Sequence, residues 1–156
     1  MSLERVKNYF ETVGLGERVY ELNESSATVA EAAMAVGCEP KEIAKTLSFL
    51  VNDQAVLVVA AGDAKVDNKK YKDFFQVKAK MIRPDQVENY VGYTPGGVCP
   101  FLIPEQVKIY LDVSMKRFDW VYPAAGSSNS AVRLSLEELE QHSHYVQWID
   151  VCKGWE

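Results

Sequence analysis

The stretch SFLVNDQAVLVVAAG, residues 48–62, constrains the fold more than any other part of the chain. Two runs rich in β-branched and apolar residues flank Asn52-Asp53, residue types that tolerate the left-handed backbone of a tight turn. The stretch therefore reads as a β-hairpin whose second strand is buried. Around it, helical and strand patterns alternate without repeats, low-complexity segments or an obvious linker.

MSLERVKNYFETVG places Leu3, Val6, Tyr9, Phe10 and Val13 near one face of a helix, and ERVYEL is a short strand. SSATVAEAAMAVG carries Thr28 with Glu31 three residues on, a capping box, and ends at Gly37, a residue suited to a left-handed helix end. Pro40 suits the first turn of a short helix over PKEIAKTL, which would put Lys45 where helix passes into strand. KVDNKKYKDFF, DQVENYV and SLEELEQHS, the last capped by Ser135, have helical spacing; VKIYLDVSM, WVYPAAG, AVRLS and YVQWIDV have strand composition. Hairpins mixed with helices imply a mixed α/β (α+β) domain around a mixed sheet. At 156 residues, 47% hydrophobic and 25% charged, one domain over residues 1–156 accounts for the chain.

The amino terminus lacks the continuous apolar core of a signal peptide, and no run approaches the about 20 apolar residues of a membrane span, so a cytoplasmic protein with no membrane partner is expected. Cys38, Cys99 and Cys152 are odd in number and lack C-x-x-C spacing, which suggests neither a disulfide framework nor a zinc site. His142, His144 and Cys152 are a weak metal set without a fourth spaced ligand, and both histidines read as a surface helix end.

A net charge of −5 argues against indiscriminate nucleic-acid binding and against DNA as a partner. It conceals a basic cluster: Lys65, Lys69, Lys70, Lys72, Lys78, Lys80 and Arg83, interrupted by Asp67 and Asp73 and preceded by Asp63. That cluster is either a solvated face or a local phosphate-contacting patch. No G-x-S-x-G elbow, phosphate-binding loop, dinucleotide fingerprint or H-E-x-x-H occurs. In TPGGVCPF, residues 94–101, prolines fix the backbone at both ends of a glycine pair. It is either a structural turn or a rigid loop presenting amides to a ligand.

IAKTL, then VVAAGDAKVDNKKYK, then GYTPGGVCPF resembles, in that order, the YbaK and prolyl-tRNA-synthetase-associated editing domain family. Leu111-Asp112 and Ala125-Gly126 extend the resemblance over nearly the whole chain. It implies a mixed, barrel-like sheet surrounded by helices, and removal of wrongly attached amino acids from transfer RNA without metal or nucleotide cofactor. Lys45 would be the essential lysine near the scissile ester. Gly96 and Gly97 would bring main-chain amides to the ester carbonyl, the glycines clearing space for substrate. Tyr20, Thr46, Thr94, Pro95, Val98, Cys99, Pro100 and Phe101 would line the aminoacyl site, and Asp63, which follows a glycine, either orients Lys45 through a salt bridge or is an ordinary turn and cap residue. After Ala125-Gly126 the chain departs from the family's glycine-rich segment, and Gly126, Ser127 and Ser130 either touch the substrate or form an ordinary turn. Lys65, Lys69, Lys70 and Lys72 would contact the acceptor end of an aminoacyl-tRNA, most simply that for proline, with prolyl-tRNA synthetase as a candidate partner. The cargo would be small: alanine, cysteine or serine. Two other classes fit the same residues, a non-catalytic binding regulator and a hydrolase of another small activated ester.

Overall fold

The computed structural model describes residues 2–155. Helix α1 (Ser2–Thr12) leads to strand β1 (Val19–Glu21), helix α2 (Val29–Val36) and the hairpin of β2 (Ile43–Val51) and β3 (Gln54–Ala61). Strand β4 (Lys65–Val66), helices α3 (Asn68–Phe75) and α4 (Pro84–Val91), and strands β5 (Lys108–Asp112), β6 (Trp120–Pro123), β7 (Ser130–Val132) and β8 (Leu134–Ser135) follow. Helix α5 (Leu136–Ser143) and strands β9 (Gln147–Ile149) and β10 (Cys152–Lys153) complete the described chain. The main sheet runs β8-β6-β2-β3-β5-β9 and is mixed, as expected: β2–β3 and β6–β8 are antiparallel, while β2–β6, β3–β5 and β5–β9 are parallel. No helix among the described residues is long and apolar enough to cross a membrane.

The hairpin forms as its residues dictate. Asn52 and Asp53 take φ of 51° and 65°, the left-handed pair of a two-residue turn, and the register runs from Val51↔Gln54 to Ala44↔Ala61. Every β3 residue from Ala55 to Ala61 is buried, because β2 and β5 flank the strand and apolar side chains cover it. The capping box of Thr28 and Glu31 and the left-handed Gly37 bound α2.

The expected helix over PKEIAKTL is corrected. Only Pro40–Glu42 turns, as a 3₁₀ segment, and Ile43 already begins β2. A single helical turn carries little intrinsic stability, and the ladder with β3, including Lys45↔Ala60, outweighs it. Lys45 is therefore a strand residue.

His142, expected at the surface, is buried at 6% exposure. Its Nδ1 lies 2.7 Å from the Tyr9 hydroxyl and its ring meets the edges of Tyr9 and Phe10, so it fastens α5 to α1. Burial holds its pKa below the ordinary imidazole value, with the nearby His144 acting the same way and Glu138 opposing. The unfolded chain thus binds the proton more readily, and stability present above about pH 6.5 is lost as pH falls below it. The thermal midpoint of wild type should drop between pH 7 and pH 5 more than that of His142→Gln. A pH-independent difference between the two would contradict this.

Candidate active site

Strand β2 is covered unevenly along its outer edge. At its start β6 pairs at Ile43↔Tyr122 and Ala44↔Pro123 and stops. Near its end the segment 80–82 takes over, with Leu50 N–H donating to Lys80 O at 2.9 Å and Ile82 N–H to Ser48 O at 3.0 Å. Main-chain groups in a strand alternate sides, so the N–H and C=O of Thr46 face the interruption, as those of Ser48 and Leu50 face segment 80–82. They have no partner among the described residues. The Thr46 hydroxyl is likewise buried without a partner.

A cavity of about 410 Å³ occupies this gap. Its walls are mostly apolar: Val29 and Ala32 of α2, Ile43 and Leu47 of β2, Met81, Ile82 and Val87, and Tyr122, Ala124 and Ala131. Polar lining comes from Ser26, Thr28, Lys45, Thr46, Ser48 and Ser130. A largely apolar cleft with few convergent polar groups is the ordinary form of a small-ligand site.

Among the described residues, Lys45 is the only lysine or arginine lining this cavity. Its Nζ donates to the carbonyls of Gly62, at 3.4 Å, and Ala64. An ammonium has three donors, so one remains for a ligand. Burial lowers the pKa of Lys45, with Lys65 in the same sense and Cys152 and Asp63 opposing. Asp63 does not bind Lys45 directly, which corrects the expected salt bridge. Its carboxylate accepts from Arg117 at 2.6 and 3.0 Å, and that hydrogen bonding holds its pKa below the usual carboxylate value.

The TPGG segment is a β-turn in which Pro95 precedes Gly96 at φ 89°, and the Gly97 N–H donates to Thr94 O at 3.0 Å. The Gly97 amide is thus spent within the turn, contrary to the role expected of it. The amides of Gly96 and Val98 have no partner among the described residues, and both residues line the cavity with Pro95. The room left by Gly97 serves the protein rather than a substrate: a Cβ there would sit 2.8 Å from Ser127 Cα.

Of the other expected site residues, Thr46 and Ser130 line the cavity, while Tyr20, Asp63, Thr94, Cys99, Pro100, Phe101, Gly126 and Ser127 do not. Cys99 and Phe101 are fully buried in the core, and burial pushes the Cys99 thiol up to about 12. Pro100 lines a different cavity beside Tyr9 and His142. Tyr20 stacks on the cavity residue Tyr122, centroids 6.5 Å apart. The hydroxyls of Ser127 and Ser130 bond each other at 2.9 Å, and Ser130 Oγ also accepts from the Ala125 and Ser127 amides. These bonds close the serine segment into a turn, and Ser130 lines the cavity from it. In the basic strip, Lys69 pairs with Asp73 at 3.3 Å, and Lys70 with Asp150 at 3.1 Å and Cys152 O at 3.0 Å, which tempers its charge. Among the described residues no group of three acidic, histidine or cysteine side chains is placed to hold a metal ion.

Sequence reasoning missed Ser26, Ala27, Met81, Tyr122 and Arg117. Ser26 accepts from Ser130 N–H at 3.0 Å and donates to Ser130 O at 3.2 Å, buttressing the cavity wall. No local pattern announces such partners.

Fold and cavity together define a mixed α/β domain with a ligand-sized pocket at an interrupted sheet edge, served by one lysine. The model of the aminoacyl-tRNA editing domain family matches residues 23–141, and the chain belongs to that family. It is 48% identical over the full length of both chains to the uncharacterized protein YwhH of Bacillus subtilis (strain 168). It is 25% identical to a proline–tRNA ligase of Lactiplantibacillus plantarum over 80% of this chain but 22% of the ligase. A solved structure proposed to be a trans-editing enzyme for prolyl-tRNA synthetase superposes with a TM-score of 0.86 at 30% identity, covering 98% of each chain.

Proposed function

We propose that this chain is a trans-acting aminoacyl-tRNA deacylase of the cytoplasm, hydrolysing the ester of a small amino acid, alanine, cysteine or serine, on transfer RNA for proline. The interrupted β2 edge carries the reading: unpaired hydrogen-bonding groups of Thr46 open into an apolar cavity beside Lys45. Kinship to a segment of proline–tRNA ligases supports the choice of transfer RNA and makes prolyl-tRNA synthetase the natural partner.

An aminoacyl ester is already activated, so its hydrolysis rests on positioning and on stabilising the developing oxyanion more than on a strong base. The amino-acid side chain lies against the apolar wall. Water attacks the ester carbonyl carbon, and the amides of Thr46, Gly96 or Val98 receive the negative charge formed on the carbonyl oxygen. The ester C–O bond then breaks, the ribose oxygen leaves with a proton, and free amino acid and transfer RNA remain. The spare donor of Lys45 fixes the terminal ribose or the ester. Sparing of the cognate proline requires that the amino-acid subsite within this cavity be too small for the prolyl ring, since collision discriminates more steeply than the about 1 to 3 kcal/mol that one methylene supplies.

Thr46→Val leaves those amides in place and tests whether the buried, unpartnered Thr46 hydroxyl adds a hydrogen bond to the bound ester. Removing a buried hydroxyl that has no partner should leave the thermal midpoint unchanged or raised, while kcat/KM for deacylation falls about tenfold, one neutral hydrogen bond's worth. A loss of stability with activity retained would make the Thr46 hydroxyl structural.

A further inference from the structure

Lys45 is held by the turn that follows β3, through the carbonyls of Gly62 and Ala64. Between those two carbonyls sits Asp63, a carboxylate close enough to bear on the Lys45 charge. An unengaged carboxylate there would be a better partner for an ammonium than two neutral carbonyls, because charge-assisted bonds are about twice as strong. It is engaged. Arg117 grips Asp63 with both terminal nitrogens, at 2.6 and 3.0 Å, and is itself fixed by bonds to Ser114 O at 2.8 Å and Trp155 O at 2.9 Å. Its guanidinium stacks over Phe118 and Trp155, at 4.6 and 5.1 Å from the ring centroids. The same 3₁₀ segment, Val113–Arg117, reaches the end of β3 a second time, where Ser114 Oγ accepts from Ala61 N–H at 3.1 Å.

We propose that Arg117 is a positioning residue for the reaction: by sequestering Asp63 it keeps the Lys45 ammonium on the two carbonyls and facing the cavity, rather than drawn into a salt bridge. The catalytic part of this rests on the deacylase reading above; the placement of the ammonium does not. Two other groups bear on Lys45. Lys65 is a like charge, and Cys152 has a thiol pushed up to about 12 by burial, so it stays neutral across the range where an enzyme would be assayed.

The test follows the Lys45 side chain by NMR titration and steady-state deacylation in wild type, Arg117→Met and the double variant Asp63→Asn/Arg117→Met. In Arg117→Met the freed carboxylate should capture Lys45, raising its pKa, and kcat should fall about tenfold with little change in KM. Removing that carboxylate in the double variant should return the titration towards wild type and recover most of kcat. A merely structural arginine would leave the double variant at least as impaired as the single, and that outcome, or an unmoved Lys45 titration in Arg117→Met, overturns the proposal. Should Arg117→Met fail to fold, Arg117→Gln loses the charge while keeping hydrogen-bonding capacity and carries the same comparison. If the titrations behave as expected and no protein deacylates any substrate, the positioning role stands and the deacylase reading falls.

Discussion

Lys45→Ala should lower kcat/KM for deacylation by about 10² to 10³, the usual cost of removing one preorganised electrostatic group from a water-poor site. The fold should survive the change. Lys45 is only partly buried, its pKa is lowered by burial, and its ammonium is bound to neutral carbonyls rather than to a counter-charge. The thermal midpoint is therefore expected within a few degrees of wild type, about what 1 kcal/mol produces in a domain of this size. Lys45→Arg should not restore activity, because a planar guanidinium cannot reproduce the compact ammonium between two carbonyls. Parallel deacylation assays and thermal melts check both halves; equal activity of the alanine variant would remove Lys45 from the mechanism.

Gly62→Ala should cause a large loss of stability. A Cβ there would lie 2.0 Å from Pro40 O and 2.8 Å from a Val29 methyl, and the first of these is main chain that cannot swing aside. Forcing it in displaces the turn that holds Lys45, and an overpacked buried contact of this kind costs about 3 kcal/mol. Urea unfolding should show a midpoint well below wild type, and the remaining folded protein should deacylate poorly. Stability within 0.5 kcal/mol of wild type, roughly the level of an ordinary surface change, would contradict this packing.

The hairpin could be read from Asn52-Asp53 and its flanks because turn chemistry and strand composition are local properties. The caps of α2 and α5 were visible for the same reason. Lys45 drew notice in the sequence and lines the cavity, but its strand was mistaken for the end of a helix: a one-turn preference at Pro40 is overruled by a ladder whose partner lies beyond the hairpin turn. Asp63 and Arg117 are 54 residues apart, and only the folding of Val113–Arg117 over the end of β3 brings them together. The gap beside Thr46 was also invisible, since it depends on where two separate segments cease to pair with β2. Pro95, Gly96 and Gly97 did announce a tight loop against other main chain. What approaches Gly97 turned out to be Ser127, which composition could not tell from a substrate.

The central claim is tested most directly by incubating the purified protein with transfer RNA for proline charged separately with alanine, cysteine, serine and proline, and following loss of the ester. The account expects rapid release of at least one of the three small amino acids and sparing of proline. Hydrolysis of the prolyl ester at the same rate as the others, or no hydrolysis of any of the four, would contradict it.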